Sequence, residues 1–275
     1  MKKLIWLIFL AALLALPTFA QDRYSELVEK AMEYTKLDSL VQAEELYREA
    51  LKLDPNNARN ALLFSNLGTV LNRQGRREEA IEAYTFALNI TPYSTAMLLN
   101  RAALYLDSGL FDKAYIDYCN VIDLIPEETE ARIMRAYIYI RRRDYMDARI
   151  DYNVVLSNDG TNKTARLGVA ILDEKEGRFK AAADGISLLI TEYPDDPSLL
   201  KMRANIYIEQ GYNDLALLDL EEAASLDPSD PDIFLTMGDT CLKLKLKSEA
   251  RNAYEKAISL GIARQELAEQ LRQCK

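Results

Sequence analysis

The sequence predicts an all-α solenoid of about seven stacked helix-turn-helix units, closed by a C-terminal capping helix. Three observations predict it. First, NRAALYLDSGLFDKAYIDY (100–118), MRAYIYIRRRDYMDARIDY (134–152) and MRANIYIEQGYNDLALLDL (202–220) are near-copies, with Arg101 and Arg135 34 residues apart and Arg203 two such periods further on. A fixed period of this length marks a repeat architecture. Second, an alanine recurs at Ala43, Ala80, Ala114, Ala148, Ala182, Ala216 and Ala250, and a small residue stands twelve positions before each: Ala31, Gly68, Ala102, Ala136, Ala170, Ala204 and Gly238. Small residues at matched points of two successive helices let their axes approach closely, and a lone hairpin of this size cannot bury its apolar side, so the units must stack. Third, turn residues keep the same period. Gly75, Gly109, Gly177 and Gly211 fall between the two helices of a unit, and Pro55, Pro92, Pro126, Pro194 and Pro228 follow the second helix.

In chain order, residues 1–20 stand outside the pattern. Lys2 and Lys3 precede an apolar run from Leu4 to Leu16, then Pro17 and Thr18-Phe19-Ala20. The run is too short to span a bilayer comfortably. The segment reads as a secretory signal cleaved after Ala20, with an uncleaved anchor as the alternative reading. Its short Lys-Lys start looks bacterial, which would put the mature chain in a periplasm or outside the cell, without a membrane span. No cysteine lies near the cut, so no lipid anchor is expected.

Residues 21–275 then read as one solenoid. Its units are 24–57, 61–94, 95–128, 129–162, 163–196, 197–230 and 231–264, with a capping helix at 265–275. Tyr47, Tyr84, Tyr118, Tyr152 and Tyr254 follow the recurring alanine by one helical turn and fill the seam beside it; Ile186 takes that place in unit five. Three extra residues near Asn57-Ala58-Arg59 stretch the first proline interval to 37. Gly160 replaces the proline of unit four, and Arg143 and Lys245 replace the turn glycine of units four and seven. In the tail, Leu267 and Leu271 share one face and would cover the last unit.

Small residue, tyrosine, glycine turn, alanine, aromatic and proline, in register from about Tyr24 to Arg264, resemble the tetratricopeptide repeat family. The resemblance implies a right-handed superhelix, first helices lining a concave face and second helices outside. It also implies a scaffold that holds a segment of another protein in that groove.

Composition narrows the chemistry. The net charge is −9, and −11 without Lys2 and Lys3. An acidic chain repels phosphate backbones, so nucleic acid is not an expected partner. There is no histidine, which removes Ser-His-Asp and Cys-His catalysis and His-containing metal sites. Cys119, Cys241 and Cys274 form no C-x-x-C pattern; the first two read as core residues and Cys274 as exposed. Glu78-Glu79, Glu127-Glu128 and Glu221-Glu222 point about 100° apart on a helix and read as solvated surface. Arg141-Arg142-Arg143 reads as a capped helix end, with a small anion patch as the alternative. No phosphate loop, dinucleotide fingerprint or calcium loop appears. No cofactor is expected and the chain reads as non-enzymatic.

Arg101, Arg135 and Arg203 are each followed sixteen residues later by Asp117, Asp151 and Asp219. Where the first position is apolar (Leu67, Val169, Met237), the second is Ala83, Gly185 or Ala253. The shared switch predicts an ion pair across each hairpin, since a partly buried Arg is costly unpaired. Duplication of one ancestral unit is the alternative explanation.

The candidate binding strip is a second apolar stripe on the first helices. It comprises Leu99 and Ala103 in unit three, Ile133, Tyr137 and Ile140 in unit four, and Leu167 and Ile171 in unit five. It turns polar at Ser65, Thr69 and Asn72 on one flank and at Lys201 and Asn205 on the other. A greasy centre with a wet rim suits a protein interface; contact between neighbouring first helices is the competing reading. Lys201 and Asn205 resemble half of the carboxylate clamp by which some relatives hold chaperone C-termini, but the remaining clamp positions are not matched. A glycan- or envelope-polymer-binding accessory is the alternative function, and the loss of Trp6 with the signal weighs against it. Intact mass of the exported protein is expected to place its first residue at Gln21; a species retaining Met1 would contradict the cleavage.

Overall fold

The computed structural model describes residues 23–275. Among them lie fifteen helices and no strand. The chain forms two compact units that divide between Arg135 and Ala136, inside one helix.

The first unit contains α1 (23–36), α2 (Leu40–Leu53), α3 (Asn60–Arg73), α4 (Arg77–Ile90), α5 (Thr95–Asp107) and α6 (Phe111–Leu124), and the start of α7 (Thr129–Arg142). Helices α3 and α4, and α5 and α6, pack as hairpins, and α2–α3 and α4–α5 join one hairpin to the next. The periodic small residues Ala31, Ala43, Ala80, Ala102 and Ala114 are fully buried, and Tyr47, Tyr84 and Tyr118 fill the space beside them. Each hairpin turns through a residue with positive φ: Asp38, Gly75 and Gly109. The next amide then reaches back to the first helix: Ser39 N–H to the Tyr34 carbonyl, Arg76 to Leu71 and Leu110 to Tyr105. This is the doubly hydrogen-bonded helix stop in which glycine carries no steric cost.

The three-residue insertion forms an extra turn before α3, held from below. Asn60 is completely buried. Its amide donates to the carbonyls of Asp54 (2.8 Å) and Pro55 (3.0 Å) and its oxygen accepts from the Tyr24 hydroxyl at 2.9 Å. Burial pushes the Tyr24 phenol up.

The second unit contains the rest of α7, then α8 (Tyr145–Asn158), α9 (Lys163–Lys175), α10 (Phe179–Glu192), α11 (Pro197–Glu209), α12 (Asn213–Leu226), α13 (Pro231–Lys243), α14 (Lys247–Ser259) and α15 (Ala268–Gln273). Hairpins α9–α10, α11–α12 and α13–α14 stack through α8–α9, α10–α11 and α12–α13. The cores run across hairpins: Ala170, Ala182, Ile186 and Leu189 of one meet Leu199 and Ile206 of the next. Helix starts are capped by side chains where the sequence supplies them. Asn162 accepts from Ala165 N–H at 3.0 Å, Asp196 from Ser198 N–H at 3.0 Å and Asp230 from Asp232 N–H at 2.8 Å, the last two with proline at the first helical position. The turns pass through Arg143, Gly177, Gly211 and Lys245, all with positive φ. An arginine or lysine in this conformation costs about 1 kcal/mol that glycine avoids.

Two expectations for the tail are corrected. The capping helix is six residues, 268–273, and not 265–275; Gly261 (φ 117°) and the turn at 264–267 deliver Leu267 to the last hairpin ahead of the helix. Cys274 is buried rather than exposed, and its thiol donates to the Gln270 carbonyl at 3.2 Å. Leu267, Leu271 and Cys274 stand at i, i+4 and i+7, so all three face the cluster of Cys241, Ala250, Tyr254 and Ala257. Burial pushes the Cys241 and Cys274 thiols up. Cys119, expected in the core, is only half-buried.

The arginine–aspartate pairs form in both units. Arg101 donates two parallel hydrogen bonds to Asp117, each 2.8 Å, and a third from Nη1 to Thr85 Oγ1 at 3.1 Å. Arg203 donates to Asp219 at 2.8 and 2.7 Å and from Nη1 to Ser187 Oγ at 2.9 Å. Arg135 Nη1 donates to Cys119 Sγ at 3.5 Å, and Asp151 is fully buried. The third acceptor stands sixteen residues before the arginine, on the second helix of the preceding hairpin. Arg101 and Arg203 therefore each clasp two hairpins, where the paired switch in residue type predicts a bond within one. Where the clasp positions are Leu67 and Ala83, the smaller side chains leave a cleft of about 100 Å³ bordered by Phe64 and Phe86, whose rings lie 5.4 Å apart.

Asp219→Ala leaves Arg203 with Ser187 alone and is expected to cost about 3 kcal/mol. Adding Arg203→Met should recover roughly 1 to 3 kcal/mol of that loss. A double-mutant cycle by chemical denaturation measures this; additive single effects would contradict the clasp.

Candidate functional site

The candidate strip is carried by the first helices, because their second helices and neighbouring hairpins bury the opposite side. On α5, Leu98, Ala102 and Tyr105 are buried in the hairpin, and one residue on, Leu99, Ala103 and Leu106 are half-buried. Ile133 of α7 is half-buried as well. In the second unit, Tyr137 is 41% exposed, with its hydroxyl accepting from Arg141 Nη1 at 3.3 Å and the guanidinium 5.9 Å from its ring. Ile140, Leu167 and Ile171 are half-buried, and Leu167 also packs on the core shared by α9, α10 and α11. Asn205 is exposed. Lys201 is not free: its ammonium meets Asp230 at 2.6 Å, tying α11 to the N-cap of α13. Burial works against ionisation of Asp230, and Lys201 with the amides of Asp232 and Ile233 still holds its carboxyl below the usual range.

The first unit adds a feature that apolar spacing does not point to. Met32, Thr35 and Lys36 of α1, Tyr47 of α2, and Asn66 and Thr69 of α3 line an open cleft of about 170 Å³. Counting through the three-residue insertion, Met32 and Thr69 hold the same repeat position as Ala103, Tyr137, Ile171 and Asn205. The cleft is thus built from the face that the stripe predicts, at the end that reads as its polar flank. The insertion hides it, since a strict 34-residue count from Thr69 does not land on Met32. The register of Met32 with Tyr137 is the signal that could have found it.

The walls of the cleft are fixed. Thr69 Oγ1 and the Tyr84 hydroxyl share a hydrogen bond of 2.8 Å. Thr35 Oγ1 donates to the Ala31 carbonyl at 2.7 Å. Arg73 reaches from α3 to the Thr35 carbonyl (3.0 Å) and to Asp38 (2.6 Å), holding α1 against α3. Burial raises the Tyr47 and Tyr84 phenols, and the Tyr47 hydroxyl accepts from Thr35 Oγ1 at 3.5 Å. Met32 is 40% exposed at the mouth. Lys36 stands there exposed, and no carboxylate pairs with it among the described residues.

The arrangement suits binding rather than turnover. The volume admits a side chain or two, below the size of a small-molecule pocket. Its polar groups are an amide and hydroxyls that both donate and accept, and one ammonium, with neither a nucleophile–base pair nor opposed carboxylates. Among the described residues, no group of three or more Cys, Asp or Glu side chains is placed to hold a metal ion, and none of their helices is long and apolar enough to cross a membrane.

Tetratricopeptide repeat models match residues 29–94, 200–230 and 231–260. A crystal structure of a tetratricopeptide repeat protein from Parabacteroides merdae ATCC 43184 superposes with a TM-score of 0.74 at 33% sequence identity, over 92% of this chain and 99% of that one. DnaJ homolog subfamily C member 7 of Mus musculus is 30% identical over 166 residues, 54% of this chain and 33% of its own. RNA polymerase II-associated protein 3 of Mus musculus is 30% identical over 168 residues, 59% of this chain and 24% of its own. The chain thus spans a third or less of the length of these two curated relatives. The period, the small-residue seam and a relative matched over nearly its whole length agree: the chain belongs to the tetratricopeptide repeat family.

Proposed function

We propose that this protein is a non-catalytic scaffold that holds a segment of another protein against its first-helix face, outside the cytoplasm in a bacterial periplasm or cell envelope. Tetratricopeptide repeat proteins generally mediate protein–protein interaction. The observation that carries the reading here is the cleft on α1 and α3, open, with hydroxyl and amide groups fixed beside the exposed Met32 and an unpaired ammonium at Lys36. A protein segment matches such a cleft: its backbone carries both donors and acceptors, and it presents one side chain every second or third residue. Tyr137 stands at the same repeat position with two-fifths of its surface free, and an aromatic of that kind is a common anchor of interfaces. The location is supported by residues 1–20, whose Lys-Lys start, apolar run and Thr18-Phe19-Ala20 carry the pattern of an export signal; they lie outside the described residues.

Photo-crosslinking in the producing cells tests the site. A benzophenone side chain at Thr69 and, separately, at Tyr137 is expected to give adducts with one and the same protein. The same group at the exposed Glu45 of the second helix α2 is expected to give none. With that partner in hand, Tyr137→Ala should weaken binding by about 2 kcal/mol, roughly thirtyfold, and leave the thermal midpoint nearly unchanged. Adducts at Glu45 alone would overturn the proposal. So would a variant whose midpoint falls while its affinity per folded molecule holds, because the stripe would then be inter-repeat packing.

A further inference from the structure

We propose that the C-terminal end of the second unit is a separate binding site for an acidic protein segment. The site is a cleft of about 280 Å³ between α14 and α15, lined by Arg251, Glu255, Arg264, Ala268, Leu271, Arg272 and Lys275. Four of its seven lining side chains are cationic and one is anionic, in a chain whose net charge is −9. Arg264 is ion-paired with Glu255, and Arg272 with Glu269, so two of the cations are held in place by nearby carboxylates of the same chain. Arg251 and Lys275 have no carboxylate partner among the described residues. They are the two charges left for an incoming group.

The floor is apolar. Ala268 and the half-buried Leu271 share one face of α15 and line the cleft with the cations, and Leu271 rests on the buried cluster of Cys241, Tyr254 and Cys274. Burial pushes the Cys274 thiol up, and the charges of Arg251 and Lys247 work against that push. A ligand that satisfies both floor and rim carries carboxylates beside an aliphatic side chain. An acidic segment of a protein has that chemistry; a free anion meets only the rim, and a basic or neutral segment leaves Arg251 and Lys275 desolvated and unpaired. The guanidinium of Arg251 can receive a carboxylate through two parallel hydrogen bonds, whereas Lys275 supplies a mobile point charge at the edge. This site shares no residue with the first-helix cleft, so either can fail without the other.

The test uses the full mature chain and a fluorescein-labelled eight-residue peptide of alternating leucine and glutamate. The same peptide with glutamine for glutamate is the control, with binding read by fluorescence anisotropy. The acidic peptide is expected to bind, its affinity to fall with added salt, and the glutamine peptide to bind at least about tenfold more weakly. Arg251→Glu combined with Lys275→Glu should lower the affinity by about tenfold or more, whereas Lys180→Glu, a charge on α10 away from the cleft, should not. Arg251→Gln, the milder change, should give an intermediate loss and serves if the double variant's thermal midpoint falls. Equal binding of both peptides, or undiminished binding by the variants, would overturn the proposal. Displacement of the peptide by equimolar inorganic phosphate would reduce the cleft to a simple anion site and also overturn it. Sedimentation showing self-association that the same variants abolish, with no peptide binding, would make the cleft a contact between copies and would overturn it as well.

Discussion

Everything in this fold depends on how closely two helices can approach. A hairpin of two short helices has too little core to stand alone, so its stability comes from contact with itself and with the next hairpin. Both contacts pass through one seam. Ala204 and Ala216, or Gly238 and Ala250, put almost no side chain between the helix axes. The volume beside them is taken by one large residue a turn further on. At Gly238 the approach is so close that an added methyl would stand 2.4 Å from the Tyr254 ring. That ring is fully buried, and its hydroxyl donates to Asp239 at 2.7 Å, so it has nowhere to retreat.

The clasps act on top of this seam. Arg101 and Arg203 lie where a first helix meets two second helices, and each satisfies a carboxylate on one and a hydroxyl on the other. A guanidinium with that many fixed partners fixes register more than it adds stability, since a well-packed apolar pair would also fill the space. The second repeat shows the alternative, with Leu67 and Ala83 leaving a small cleft in place of the ion pairs. Polar and apolar solutions of the same joint thus coexist in one chain.

Much of this is legible in the sequence because a repeat writes each contact several times. The period, the small-residue pairs and, at Gly75, Gly109, Gly177 and Gly211, the turn glycines mark the repeat, and the paired switch from Arg–Asp to apolar–small exposes the clasp. What stays hidden is what occurs once or crosses between repeats. Asn60 shares its repeat position with Asn162, Asp196 and Asp230, but it donates back to the carbonyls of the inserted turn where they accept from amides ahead. The hydroxyls of Thr85 and Ser187 lie before the arginine rather than after it. The tail has no second copy against which to read Cys274 as the third member of a buried face. For the candidate site, apolar spacing picks out Leu99, Ala103, Ile133, Tyr137, Ile140, Leu167 and Ile171. Spacing alone does not separate Tyr137, which is open, from Leu167, which leans on a core. The cleft at Met32 and Thr69 escapes it because three inserted residues break the count.

The most direct test of the seam compares one substitution at two helical glycines of the second unit. Gly→Ala at a helix interior gains about 1 kcal/mol from propensity alone. At Gly185 the new methyl would meet only the Ala170 Cβ, at 3.6 Å, an ordinary contact. At Gly238 it would strike the Tyr254 ring. Chemical denaturation of the two variants should therefore move in opposite directions. Gly185→Ala should be more stable by about 0.5 to 1 kcal/mol, and Gly238→Ala less stable by about 1 kcal/mol or more. If both variants gain the same stability, the helices are not held at the distance that the small residues set, and the seam does not govern the fold.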